Sequence, residues 1–330
     1  MTYFSVIVPT LRVGGLDILM AGLEQQTFRN FELVLVDSLY KYRKGIVAEK
    51  AKKYNFPIKH VEPINNPFPL NSYQRCVNTG LVHAKGQLAY FTCDYAWLPP
   101  ECLSMHAHFH MSTGVLHSMF GIIHLHGLPT LKPGFKANYG LNELGHGKIS
   151  HSEVMSKWDN QEIRHKATTE WCKAYCKDLQ SGELDPYMWS IFEKEYESED
   201  DPRELEVLHV EMKSTKPEGF IEGQYCHLKN DTIPIEPLLN LNGFDEEFDG
   251  SHGWQDSEVA TRLTARVGMK WYLKPNCIVH ITDVHGVMTI RKMLRPEQSN
   301  ESIYLTKYAK GYPDPINNWN LREARASFLV

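Results

Sequence analysis

Several things are missing from this chain, and each absence removes a class of protein. No stretch approaches the roughly 18–20 apolar residues that a membrane-spanning helix needs, so no helical membrane anchor is expected. The start, Met1 to Pro9, has no basic lead ahead of a long apolar core, and it reads as a short buried strand rather than a signal peptide. An excess of positive charge is also missing. Against 40 acidic residues stand 35 Lys and Arg, a net charge of −5, which disfavours indiscriminate binding to nucleic acid through phosphate neutralisation. The seven cysteines are odd in number and follow no framework spacing, so reduced thiols in a cytoplasmic protein are expected. Cys172 and Cys176, four apart, read as two half-buried thiols on one helix. There is no internal repeat and no low-complexity tract.

A hydrolase-type zinc motif is absent too. His106, His108 and His110 fall on a predicted helix on which only His106 and His110 share a face, and no Glu sits between them in a His-Glu-x-x-His pattern. Together with His124 and His126, they are read as surface or cleft-lining residues.

What is present is the composition of an ordinary globule, 42% hydrophobic and 23% charged. The first 95 residues alternate strand and helix signals. Phe4–Pro9 and Phe31–Asp37 are nearly continuous apolar runs, as strands covered on both faces should be, while Leu16, Leu19, Met20 and Leu23 recur at helical spacing. Gly45–Tyr54 reads as a helix, Pro57–Val61 as a strand, Leu70 to Leu81 as a helix and Gln87–Thr92 as a strand. This alternation predicts an α/β fold with a doubly wound, mostly parallel sheet. After Pro99-Pro100 the spacing predicts a helix over Glu101–Met111 and extended chain over Val115–His126. Strands are expected near Tyr225–Lys229 and Lys270–Leu273, with a helix at Ser257–Val267. Residues 127–220 read as a loop and helical insertion.

Three local patterns point to chemistry. Asp37 ends an apolar strand, and ligands of open α/β sheets bind at the carboxyl ends of strands; an Asp there can accept from a nucleotide base or cap a turn. Arg75 and Asn78, three apart on one helix face, could reach a diphosphate, and Gly86 is expected in a left-handed cap where that helix stops. Asp94, just past a buried strand, is placed to face a divalent cation.

Ser5-Val-Ile-Val-Pro9-Thr10, Phe31-Glu-Leu-Val-Leu-Val-Asp37, Asn78-Thr-Gly80 with Ala84-Lys-Gly86, and Asp94 ahead of Trp97-Leu-Pro-Pro together resemble family 2 glycosyltransferases of the GT-A fold. Asn242-Gly-Phe-Asp-Glu-Glu-Phe248 and Gly253-Trp-Gln-Asp-Ser-Glu258 resemble the acceptor-side region of that superfamily. The resemblance covers residues 4–105 and about 222–282. It implies a nucleotide-sugar-binding half over 1–126, an acceptor-side insertion over 127–220, an acceptor-side half over 221–290 and a C-terminal tail over 291–330. Pro9, Thr10 and Asp37 would hold base and ribose, Arg75 would lie near the phosphates, and Asp94 would be the surviving acid of an Asp-x-Asp-type motif.

Cys93 and Tyr95 flank Asp94 where that pattern expects a second acid, so Mn²⁺ or Mg²⁺ would lean on the substrate phosphates and retained water. His280 matches a position where related enzymes place a metal-binding His; His285 is a weaker candidate. Asp256 would be the base that deprotonates the acceptor hydroxyl, giving inversion, although the same Asp could cap the helix that follows. Asp245 and Glu246 are reserve acids on the acceptor side, and Trp254 either stacks on a sugar or packs in the core. The expected partners are a nucleotide-sugar donor, UDP-linked by family habit, and a saccharide or other hydroxyl acceptor, a nucleic-acid acceptor being disfavoured by the charge. Two other classes remain open: a nucleotidyltransferase, for which Arg12-Val-Gly14-Gly15 is a thin phosphate loop, and a non-catalytic sugar-binding relative. Tyr139, Trp158, Trp171 and Trp189 are read mostly as packing for the inserted helices.

Overall fold

A computed structural model describes residues 2–10, 16–38, 40–65, 72–94, 96–125, 218–222, 227–250, 253–281, 300–315, 317 and 319–328. In chain order these form β1 (Phe4–Thr10), α1 (Leu16–Glu24), β2 (Phe31–Asp37), α2 (Tyr40–Ala51), β3 (Ile58–Val61), α3 (Tyr73–His83), β4 (Leu88–Phe91), β5 (Ala96–Trp97), α4 (Cys102–Ser112) and β6 (His117–Leu125). Then come β7 (Gly219–Ile221), β8 (Asp231–Pro234), α5 (Ile235–Asn240), a 3₁₀ turn (Glu246–Phe248), α6 (Gln255–Val267), β9 (Lys270–Ile281), α7 (Asn300–Ala309) and α8 (Leu321–Phe328).

One nine-stranded sheet runs in the order β3-β2-β1-β4-β8-β6-β9-β5, with β7 paired to β9. β1 to β4 are parallel, β8 enters antiparallel between β4 and β6, and β6 and β9 are parallel. The sheet is therefore mixed and mostly parallel. β1, β2 and β4 are largely apolar on both faces because both are covered. Phe4, Val6 and Val8 pack with Leu19, Leu23, Leu33 and Leu103 on one side, while Ile7 packs on the other with Val77, Leu81, Phe91, Leu238 and Leu263.

Three expectations change. The strand expected near Tyr225–Lys229 lies instead at Asp231–Pro234, a segment with one aliphatic residue whose polar groups are used inside the sheet. Met119 and Phe120 face Thr232 and Asp231 there. The strand at Lys270 runs to Ile281 through Pro275-Asn276, and a register shift against β6 at Gly121/Ile122 absorbs the irregularity. Gly86 is not left-handed, for α3 ends on Ala84 in an extended conformation. The glycine is needed for close approach, since a Cβ there would lie 2.6 Å from the Ser5 nitrogen. The left-handed caps occur elsewhere: Gly268, φ 70°, ends α6 with its N–H bonded to Thr264 and that of Met269 to Leu263. Among the described residues, no helix is long and apolar enough to cross a membrane.

Candidate functional site

The parallel half of the sheet brings Thr10, Asp37 and Asp94 to one edge. Thr10 and Asp37 end β1 and β2 in register with each other. Asp94 lies three residues beyond the end of β4, the other neighbour of β1. The Thr10 hydroxyl donates to Asp94 Oδ2 at 2.7 Å, and both residues are buried. Asp37 is fully buried and bonds His60 Nε2 of β3 at 2.8 Å, while the Tyr40 ring lies 4.7 Å from that imidazole. Pro9 stands one residue earlier, opposite Val36.

A second constellation joins α3 to the turn after α5. Arg75, at the start of α3, is buried and pairs through Nη2 with Glu246 Oε2, and its Nη1 donates to the Asn65 carbonyl at 2.7 Å. Glu246 Oε1 accepts from Asn78 Nδ2 at 3.0 Å and from Trp319 Nε1 at 2.7 Å. Asn78 also exchanges bonds with Phe244, accepting from its N–H at 2.8 Å and donating to its carbonyl at 2.9 Å. Asp245 caps the 3₁₀ turn by accepting from Glu247 N and pairs with Lys307 of α7. Asp249 accepts from the N–H groups of Gln74 and Arg75, closing the α3 N-terminus.

The third constellation opens α6. Gly253 and Trp254 are both left-handed, φ 88° and 67°, an uncommon conformation for a bulky side chain. Trp254 is the N-cap without a side-chain cap bond, so Asp256, in the first turn, does not hold that position. Trp254 is 39% exposed, and its ring lies tilted at 4.9 Å from that of Tyr304. Asp256 is half-buried. Burial raises its carboxyl above the ordinary value, against a smaller downward pull from its own and Ser257 N–H groups and from His227 and Lys229.

Neither a family model nor a curated protein sequence matches the chain. Solved structures do match. Residues 1–349 of TarS from S. aureus in complex with UDP-GlcNAc align over 99% of this chain and 72% of that one at 15% identity, TM-score 0.51. The mannosyltransferase PcManGT from Pyrobaculum calidifontis, in complex with GDP-Man and Mn²⁺, aligns over 99% and 73% at 16% identity, TM-score 0.45. GalNAc-T7 with UDP, GalNAc and Mn²⁺ aligns over 86% and 44% at 13% identity, TM-score 0.47. The chain has the GT-A fold.

Within this GT-A sheet, Thr10, Asp37 and Asp94 lie at or just beyond neighbouring strand ends. Arg75 and Glu246, expected on the donor and acceptor sides, are one buried ion pair. The Asn78 amide is taken up by the Phe244 backbone and Glu246, which leaves it a structural clasp rather than a phosphate ligand. Trp254 is exposed rather than core. His280 lies in register with Trp97 of β5 and His124 of β6, so the strand carrying it flanks the segment just after Asp94.

His106 contradicts the surface reading. It is fully buried, with Nε2 3.1 Å from Asn230 Oδ1 and Nδ1 2.8 Å from Thr232 Oγ1, whereas His108 is exposed. His126, His285, Tyr139, Trp158, Trp171, Trp189, Cys172, Cys176 and the Arg12–Gly15 loop lie outside the described residues. Sequence reasoning missed His60, Lys307 and Trp319 as partners of Asp37, Asp245 and Glu246. Only the charge of Lys307 and the ring nitrogens of the other two were visible signals.

Proposed function

We propose that this chain is a nucleotide-sugar-dependent glycosyltransferase that moves a sugar from a UDP-linked donor to a hydroxyl acceptor with inversion. The observation that carries this reading is the Thr10–Asp94 hydrogen bond at the strand ends of a GT-A sheet, next to Asp37. The UDP-GlcNAc complex of the similar TarS structure favours a uridine donor. Pro9, Thr10 and Asp37 hold the nucleoside, with His60 fixing the orientation of the Asp37 carboxylate at the strand end.

Asp94 suits a hard divalent cation as a single buried carboxylate, one oxygen of which is already oriented by Thr10. Because Cys93 and Tyr95 flank it, most of the coordination falls to diphosphate and water, with His280 as a proposed second protein ligand. When bound, Mn²⁺ or Mg²⁺ neutralises charge on the diphosphate leaving group. Asp256 takes the proton of the acceptor hydroxyl; the oxygen attacks the anomeric carbon as its bond to the nucleoside diphosphate breaks. The exposed Trp254 ring offers a stacking face for the acceptor sugar. Asp245 and Glu246 shape that side indirectly, by fixing the turn between α5 and α6.

The test is nucleoside diphosphate release from UDP- and GDP-sugars, each with Mn²⁺, Mg²⁺ or chelator, over a panel of saccharide acceptors. Acceptor-dependent UDP release supports the proposal. Binding of a nucleotide sugar with no turnover on any acceptor would favour the non-catalytic relative instead.

A further inference from the structure

Away from the strand-end site, the core holds a polar knot where α4 crosses β8 and β9. Cys102 and His106, four apart and so on one face of α4, meet Cys277 of β9, and all three are buried. Their donor atoms lie within 4.8 Å of one another, the only such trio of metal-ligating side chains among the described residues. The two sulfurs are 3.9 Å apart. Asn230 Oδ1 lies 3.6 Å from the Cys102 sulfur, 3.9 Å from that of Cys277 and 3.1 Å from His106 Nε2. It also accepts from the Tyr90 hydroxyl at 3.0 Å.

In metal-free form four groups able to donate surround one amide oxygen, which has two lone pairs; the Tyr90 hydroxyl also lies 3.4 Å from the Cys102 sulfur and the Cys277 thiol 4.0 Å from the Cys102 carbonyl. The Asn230 amide is not reversed to relieve this, because its Nδ2 donates to the Cys277 carbonyl at 3.0 Å. The sulfur–sulfur, sulfur–oxygen and nitrogen–oxygen separations come within about 0.4 Å of the edges of a tetrahedral zinc site. Zinc–ligand bonds of about 2.3 Å to sulfur and 2.0–2.1 Å to nitrogen or oxygen set sulfur–sulfur edges of about 3.8 Å, sulfur–oxygen edges of about 3.5 Å and nitrogen–oxygen edges of about 3.3 Å.

We infer that Cys102, His106 and Cys277, with the Asn230 amide oxygen at the fourth corner, form a buried structural zinc site. Binding releases two protons, one from each thiol, and the two thiolates cancel the dication's charge, so the filled site is neutral inside the core. His106 coordinates through Nε2 while Nδ1–H donates to Thr232 Oγ1, which also contacts His110 Nε2 at 2.8 Å and the Met119 carbonyl at 3.3 Å. This is the outer-shell support that metal-bound imidazoles use. The backbone is shaped to suit. Gly121 lies where a Cβ would strike Asn230 Nδ2 and the Cys277 carbonyl, each at 2.2 Å, and the register shift beside it sets where Cys277 falls on β9. Four closed protein ligands and burial mark a site that holds the fold together rather than one that turns over substrate.

The test begins with metal content of the full chain purified reduced and without chelator, followed by anaerobic Co²⁺ loading of the metal-stripped protein. One zinc per chain is expected, and Co²⁺ should give intense visible d–d bands with a thiolate-to-cobalt charge-transfer band, a signature that Asp94 cannot produce. Cys277→Ser should lose the charge-transfer intensity of one thiolate. Thr232→Val, which keeps every ligand, should weaken Zn²⁺ binding by roughly 10- to 100-fold. Should the cysteine variant not fold, zinc content and the Co²⁺ spectrum of the unaltered protein decide the matter. Zinc-free protein with no thiolate–cobalt band, or a Cys102–Cys277 disulfide found by mass spectrometry in the protein as purified, would overturn the assignment.

Discussion

Asp256 stands inside the first turn of α6, where the N-terminal end of the helix favours its anionic form while burial opposes it. Burial is the larger effect, and its sign reaches the kinetics. A base works deprotonated, so activity should fall as pH drops through a pKa above the ordinary carboxylate value of about 3.9. The acid limb of kcat/KM therefore belongs on the neutral side of that value. Asp256→Asn should remove the limb and lower kcat by about 10²- to 10⁴-fold, with donor affinity unchanged and Tm no lower, since an ionised carboxyl whose pKa is raised by burial costs stability. If kcat survives, or if Tm falls with it, Asp256 acts in the fold and not in the reaction. Of the other candidates at this scale, Asp37 and Asp94 could be read from strand-end position, whereas Thr10 entered only through the family resemblance. The roles of Asn78, Asp245 and Glu246 could not, because their partners lie far off in the sequence; Asn78 and Phe244 are separated by 166 residues.

Between elements, the Arg75–Glu246 pair fastens the start of α3 to the turn ahead of α6, and Asn78, Trp319 and Asp249 close the same junction. Both charged side chains are nearly inaccessible, 4% and 6% exposed, so the energetic weight lies in their being paired. Glu246→Gln leaves a buried guanidinium uncompensated and should cost about 3–5 kcal/mol, read as a lower denaturation midpoint at constant m-value. Adding Arg75→Met should recover much of that loss; a purely additive double variant would show that the two do not act as a pair.

α1, α3, α4 and α6 were legible as helices, most clearly where apolar residues recur every three or four positions, as Val259, Leu263 and Val267 do in α6; α2 begins five residues earlier than expected, and α5, α7 and α8 were not read. β8 was not legible: Asp231-Thr-Ile-Pro carries the wrong chemistry for a buried strand. It is buried because Thr232 serves His106 and His110, and Asp231 accepts from the N–H groups of Lys229 and Asn230. In β9 the runs Lys270–Leu273 and Cys277-Ile-Val were each legible as strand-like; what was not legible was their union across Pro275-Asn276, which pairing to β6 provides.

For the whole molecule, the strands of the proposed donor and acceptor sides belong to one continuous sheet, so a ligand on the strand-end site should stabilise the entire fold. A nucleotide sugar at 100 times its Kd adds about 2.7 kcal/mol to unfolding. A calorimetric scan should show one transition moving upward with ligand concentration. A shift confined to one of two separable transitions would mean that the described halves unfold independently.

The antiparallel β8 in mid-sheet carries a consequence for how this chain is made. β4 emerges from the ribosome with one edge paired to β1 and the other bare, and the strand that must cover that edge comes much later: 140 residues separate Tyr90 from its hydrogen-bond partner Asn230. At translation rates of about 5–20 residues per second, that edge waits for roughly 7–28 seconds. A half-built sheet with an open apolar edge is a template for another nascent chain. The interval in which this protein is most exposed to aggregation therefore falls during its own synthesis, before the segment that closes the sheet exists.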